Sequence, residues 1–239
     1  MNFVLINEST VTDAAHGGPL NPATLAQIAG ALGDYLNKYV AAYWGGAGTY
    51  AVRAGSGAKD VHAGEIVCAI LDNLPNAPGA VAYHDVTGKE VPVVFLARNE
   101  CTSVMTGADS VSSALSHELA ETAGDPACNL WARDSKYEWA HELCDAVQEW
   151  GFALDGVAVS DFVLPAFFAP GSAGPWNYLG TRPGSSQALK AALATAPGGY
   201  QIRSNAGGKE VQIEGEIVHG RLRQKRNWSS RTYRRGARV

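Results

Sequence analysis

Ser113-Ala114-Leu115-Ser116-His117-Glu118-Leu119-Ala120-Glu121-Thr122-Ala123-Gly124-Asp125-Pro126 is the stretch from which the rest of the chain is read. Val111, Leu115 and Leu119 recur every four residues, with Ala114 and Ala123 beside them. This spacing predicts a helix with one apolar stripe, capped by Asp109 or Ser110 and stopped by Gly124 and Pro126. His117 and Glu121 stand four apart and therefore share one helical face, away from that stripe.

Two ligands at this spacing can grip one metal ion, and Glu118 between them is free to act as a base on activated water. The pattern is that of the His-Glu-x-x-His metal helix, with a carboxylate in the second ligand place. The alternative is an ordinary amphipathic helix whose His and Glu face is solvated.

The 239 residues are 46% hydrophobic and 18% charged, enough to bury one good core with a small appendage. The longest apolar runs, such as Val91 to Ala97, fall far short of a membrane span, so no membrane role is expected. Met1 to Glu8 has neither the basic start nor the length of a signal peptide, which leads to an expectation of no export signal. Cys68, Cys101, Cys128 and Cys144 form no Cys-x-x-Cys pair, which argues for a reduced compartment and against a zinc knuckle, with a Cys128–Cys144 bridge left open.

The net charge of -4 conceals an asymmetry: residues 221–239 carry +8 with no acid, and the remaining 220 residues, with 11 bases and 23 acids, carry -12. In this basic tail Trp228 and Tyr233 are interleaved with Arg221, Arg223, Arg226, Arg231, Arg234 and Arg235. Such a pattern suits a protein partner, the acidic body of the chain itself, or stacking and phosphate contact on nucleic acid.

Taken in order, Phe3–Asn7 reads as a strand and Asn21-Pro22 opens a helix that runs to about Tyr43 and ends at Gly45-Gly46. Tyr50–Arg53, Glu65–Leu71, Ala80–His84 and Val91–Ala97 read as four strands ahead of the His117 helix. Asp125–Lys136 reads as a loop. The segment Tyr137–Gln148 begins as a strand and must supply the third ligand, since a site that keeps one place for water needs three protein ligands. Glu142 and Asp145 are the first candidates, followed by Asp125, which ahead of Pro126 also reads as a turn former, and His141, and a turn at Cys144–Val147 would bring Glu142 and Asp145 together. Asp161 is a candidate to orient His117 by accepting its other ring proton, or else a turn former. Phe162–Phe168 is an apolar wall, Gly171–Gly184 a surface loop, Ser185–Ala194 a short helix, and Tyr200–Arg203 with Glu210–Ile213 a hairpin.

Several separated motifs keep one order: His117-Glu118-Leu119-Ala120-Glu121 before Asp125-Pro126, then Glu142-Leu143-Cys144-Asp145-Ala146-Val147-Gln148, then Asp155 through Phe168. Together they resemble a group of zinc-dependent peptidase-like proteins of phages and prophages, over about residues 110–170. The resemblance implies an α+β fold with a zincin-like core: an N-terminal helix, a twisted mixed sheet and a metal-binding helix carrying His117 and Glu121, with Glu118 as the base. The core would span residues 1–170, with a Gly- and Pro-rich extension at 171–220 and the tail at 221–239. Departures from the pattern are the carboxylate in the second ligand place, Ala127 where a metzincin would have its third His, and no Met after the helix.

The function expected is thus a zinc-dependent peptidase. Carboxylate ligands add negative charge and bring calcium into consideration as the ion. The alternative is a virion structural protein, capsid or tail component, with a retired site and a docked basic tail. The expected location is the host cytoplasm or an assembled virion, with other virion subunits as partners.

Overall fold

Phe3, Val4, Leu5 and Ile6 are all buried, as expected of a parallel strand covered on both faces. They lie in β1 (Asn2–Asn7), which pairs in parallel with β2 (Ala51–Gly55) on one side and β3 (Glu65–Leu71) on the other. β5 (Pro92–Ala97) adds in parallel to β3, and β4 (Ala82–Val86) closes that edge antiparallel to β5, giving the order β2-β1-β3-β5-β4. The protein is thus mixed α/β, with a mixed sheet and few helices. The structure is a computed structural model and describes residues 1–205 and 210–215; the tip of the expected hairpin and the basic tail lie outside the described residues.

Asn21 caps helix α1 (Pro22–Asp34) through its side-chain oxygen, which accepts from the Thr24 N–H at 2.9 Å, and Pro22 fills the first turn. α1 continues through a π-helical turn, Tyr35–Val40, into α2 (Ala41–Trp44), and ends where Gly45 and Gly46 adopt φ values of 83° and 83°. At the π turn Asn37 donates to the carbonyls of Gly33 and Tyr50 at 2.9 and 2.8 Å, tying the helix to the start of β2. Leu25, Ile28, Leu32 and Leu36 from this long helix meet Phe3, Leu5, Ile66, Cys68 and Ile70 from the sheet in one core.

The same core receives α3 (Val111–Gly124), capped by Ser110, whose hydroxyl accepts from the Ser113 N–H at 3.1 Å. α3 lies against the β4–β5 edge on one side and β9 (Val157–Ser160) on the other. Ser116 Oγ accepts from the Ser160 N–H at 2.7 Å and locks that second contact. Leu115 and Leu119 are fully buried, and each contributes about 1.5–3 kcal/mol by leaving water.

β8 (Gly151–Leu154) and β9 form a hairpin closed by Asp155 and Gly156 at φ 48° and 81°, the two left-handed positions of a tight turn. A second sheet has β6 (Trp131–Arg133), β7 (Tyr137–Ala140), β10 (Tyr200–Asn205) and β11 (Glu210–Glu214) in the order β11-β10-β7-β6. β6 forms inside the expected Asp125–Lys136 loop because Asp134 accepts from the N–H groups of Lys136 and Tyr137 at 2.6 and 2.7 Å and folds a hairpin. β10 carries the C-terminal segment back onto β7.

One expectation is corrected outright: Ser185–Ala194 is not a helix. Its backbone groups find partners elsewhere, with the Leu189 N–H on Asn177 Oδ1 at 3.0 Å, the Leu193 N–H on the Phe167 carbonyl and Gln201 Nε2 on the Leu193 carbonyl, and Leu193 sits at φ 55°. Tertiary hydrogen bonds have replaced the helical ladder. All four cysteines are buried thiols, with no Cys128–Cys144 bridge. No helix among the described residues is long and apolar enough to cross a membrane.

Candidate metal centre

Every residue of α3 from Val111 to Thr122 is buried, not only its apolar stripe. His117 is 7% exposed, Glu118 3% and Glu121 0%, so the alternative of a solvated His and Glu face does not hold. Three ionisable side chains on one buried face need partners. They find them on two further elements.

One is β4. His84 is its single buried residue and the ring is turned toward α3, with Nδ1 2.9 Å from Glu118 Oε2 and 3.3 Å from Glu121 Oε2. The other is the 3₁₀ turn Asp145–Val147 after β7, which brings Asp145 Oδ1 to 3.1 Å from His117 Nε2. His117 Nε2 is also 3.3 Å from Glu121 Oε1, and this oxygen accepts from the Cys144 N–H at 3.2 Å. Glu121 therefore faces two ways, with Oε1 toward His117 and Asp145 and Oε2 toward His84. Two groups, His84–Glu118–Glu121 and His117–Glu121–Asp145, each gather three ligand atoms within 4.8 Å of one another and could hold a metal ion. Imidazole with carboxylate is a donor set that suits first-row divalent ions.

The charges within the cluster favour the protonated imidazoles. Burial pushes the His117 imidazole down, but the charges of Glu121, Asp145 and Glu118 outweigh it and lift the group to about 10. Burial opposes the charged form of His84 in the same way, and Cys128, Glu142 and Glu118 raise it well above the ordinary imidazole range. Glu121, which burial alone would push up, is held well below the usual carboxylate range by His117 and then His84.

The sequence-derived candidates divide clearly. His117, Glu118, Glu121 and Asp145 come together. Glu142 lies behind His84, its Oε2 3.7 Å from His84 Nε2, and belongs to neither three-residue group. Asp125 serves the chain turn instead, with Oδ2 accepting from the Leu130 N–H at 2.8 Å. His141 stacks on Phe168 at 4.3 Å between ring centroids, with Trp44 edge-on at 5.1 Å. Asp161 does not orient His117: its carboxylate accepts from Asn177 Nδ2 at 2.5 Å and from the Leu179 N–H at 3.0 Å, and burial pushes the group up to about 6. The arginines and aromatics of the tail lie outside the described residues.

Two residues not singled out by the sequence belong to the site, His84 within the cluster and Tyr200 on the wall of the adjoining cleft. His84 gave one signal, a lone histidine in an otherwise apolar strand pattern. Tyr200, the first residue of β10, gave none. It lines a cleft of about 40 Å³ together with His117, Glu118, Gln148 and the chain Ala80–Ala82 leading into β4. That volume admits about three water molecules at roughly 10–15 Å³ each. Compared with family models, curated proteins and solved structures, the chain matches none of them.

Proposed function

We propose that this chain is a zincin-like, metal-dependent peptidase in which His117, Glu121 and Asp145 hold a divalent ion and Glu118 acts as general base. The observation that carries the reading is the convergence of His117 Nε2, Glu121 Oε1 and Asp145 Oδ1 beside a cleft that Glu118 also lines. The sequence resemblance over residues 110–170 points to the same chemistry.

A divalent ion in this position supplies Lewis acidity toward a carbonyl and lowers the pKa of water. The chain's own residues do the rest. Glu118 accepts a proton at the cleft floor, and His84 stands behind that carboxylate with Nδ1 2.9 Å from Oε2. Tyr200, on the cleft wall, supplies a hydroxyl donor for a developing oxyanion. The substrate class follows from the opposite wall: Ala80–Ala82 leads into the edge strand β4, and an extended peptide adds naturally to an open strand edge. Zinc is the first expectation for the ion and calcium the second.

The test has two parts. Elemental analysis of the wild type should find bound metal that disappears in the H117A/E121A double variant. Glu118→Gln should abolish cleavage of a peptide library while thermal unfolding remains cooperative. Full activity in E118Q would sink the assignment of the base, and a wild type that holds metal but cleaves nothing would return the fold to a structural role.

A further inference from the structure

We infer that the cluster holds two divalent cations at once, bridged by Glu121, with His84 Nδ1 and Glu118 Oε2 completing the second site. This rests on the reading above for the first ion and adds to it a second ion whose ligands come from β4 and α3.

The two oxygens of Glu121 serve different partners: Oε1 is 3.3 Å from His117 Nε2, and Oε2 is 3.3 Å from His84 Nδ1. His84 and His117 fall in separate groups, neither of which contains the other imidazole. A single ion with ligand bonds of about 2.0–2.2 Å cannot reach both sets without moving one of the elements that carry them. A carboxylate that spans two ions, by contrast, uses each oxygen where it already lies. Ions in two-metal sites stand about 3.5–4 Å apart, a distance one carboxylate spans.

Glu118, Glu121, Glu142 and Asp145 bring four carboxylates to two imidazoles, all in a buried setting. One divalent ion leaves this set at about -2, and two bring it to neutrality, which is the state that burial favours. The outer side of the His84 ring points the same way: Nε2 is buried with no hydrogen bond of ordinary geometry, the Cys128 thiol interacts with the ring, and Glu142 Oε2 lies 3.7 Å from Nε2. A ligating histidine ordinarily donates its other ring N–H to a carboxylate. With Nδ1 on an ion, the Nε2–H donates to Glu142, which makes Glu142 a positioning residue for His84. Glu118 ligates through Oε2 and keeps its other oxygen for a proton.

The experiment is metal stoichiometry on the full chain, loaded with excess Mn²⁺ or Zn²⁺ and freed of loose metal by gel filtration. Two ions per chain are expected, falling to one in His84→Ala and to one in Asp145→Ala. The manganese form should show the low-temperature EPR spectrum of an exchange-coupled pair, lost in His84→Ala. This spectrum of the wild type stands even if a variant fails to fold. One ion per chain at saturation, with an uncoupled spectrum, overturns the inference and leaves the single-ion peptidase intact. No ion at all overturns both. Two coupled ions with no peptide cleavage uphold the inference and remove the peptidase reading alone.

Discussion

The five-stranded sheet carries a cluster of cations and carboxylates toward each of its edges, and the two are built differently. Toward the β2 edge, Arg53 forks onto Glu65 with Nε–Oε1 at 2.6 Å and Nη2–Oε2 at 2.7 Å, and reaches Asp60 Oδ2 at 3.0 Å. Its side chain is 32% exposed, and the guanidinium is a permanent cation that holds Glu65 down to about 2. At the β4 edge the cations are the imidazoles of His84 and His117, buried among more carboxylates than they can neutralise. A cluster whose cation cannot leave is complete. One whose cations are protons on imidazole is open to exchange for a metal ion.

The largest effect should come from the residue on which the open cluster turns. Glu121→Ala should weaken zinc binding at least ~100-fold by titration calorimetry, beyond the ~10–100-fold typical of losing an outer partner, while Arg53→Ala leaves zinc binding unchanged. Equal losses in the two variants would erase the contrast.

The next largest is pH-dependent. Metal must displace the proton from an imidazole held up to about 10, so affinity should rise by about tenfold per pH unit for each proton displaced, between about pH 6 and 9. The sign for the metal-free chain follows from the same shift. The His117 contribution to stability is present in full below the ordinary value of 6.5 and is lost as pH rises through about 10. Glu65 behaves oppositely: its contribution is present above 4.5 and is lost as pH falls through about 2. Denaturant unfolding across pH should therefore show an alkaline limb that shrinks in His117→Gln, with the remainder carried by His84, and Glu65→Gln should alter only the acid limb.

A smaller effect is expected where α3 ends. A Cβ on Gly124 would lie 2.5 Å from Leu143 Cδ1, so Gly124→Ala should cost about 1–3 kcal/mol in unfolding free energy and loosen metal binding by shifting the turn that carries Asp145. Smallest of all, Arg53→Ala should lower the denaturant midpoint only slightly, as is usual for solvent-screened ion pairs, a change that should shrink further in high salt.

The parts of this arrangement that were legible in the sequence are those written into local spacing. Ser110 as cap, the 3.6-residue stripe and the Gly124 stop define α3, and β3 runs over Glu65–Leu71 as its β-branched pattern predicts. Asp145 stood among the candidates because a turn after a strand could bring an acid inward, and a 3₁₀ turn does so. His84 showed only as a lone histidine in an apolar strand, because the pairing of β4 with β5 that carries it toward α3 leaves no trace in spacing. Asp125 and Asp161 each carried two readings, site residue or turn former, and spacing could not choose between them; both satisfy buried backbone N–H groups, as a turn former does. The segment 185–194 misled because its partners, Asn177 and Gln201, are remote in sequence.

The pairing of β10 with β7 has a consequence for the order of assembly. It brings Tyr200 to a cleft whose other walls begin at Ala80, so segments more than a hundred residues apart must dock before the centre is complete. Contacts so distant in sequence close late, after their loop entropy has been met. An ion that recognises only the finished centre acts on the native side of the folding barrier, slowing unfolding while leaving the rate of folding nearly untouched. At a free concentration of 100 Kd it adds about 2.7 kcal/mol to stability. An ion bound at the proposed centre would set the lifetime of this fold more than the speed at which it forms.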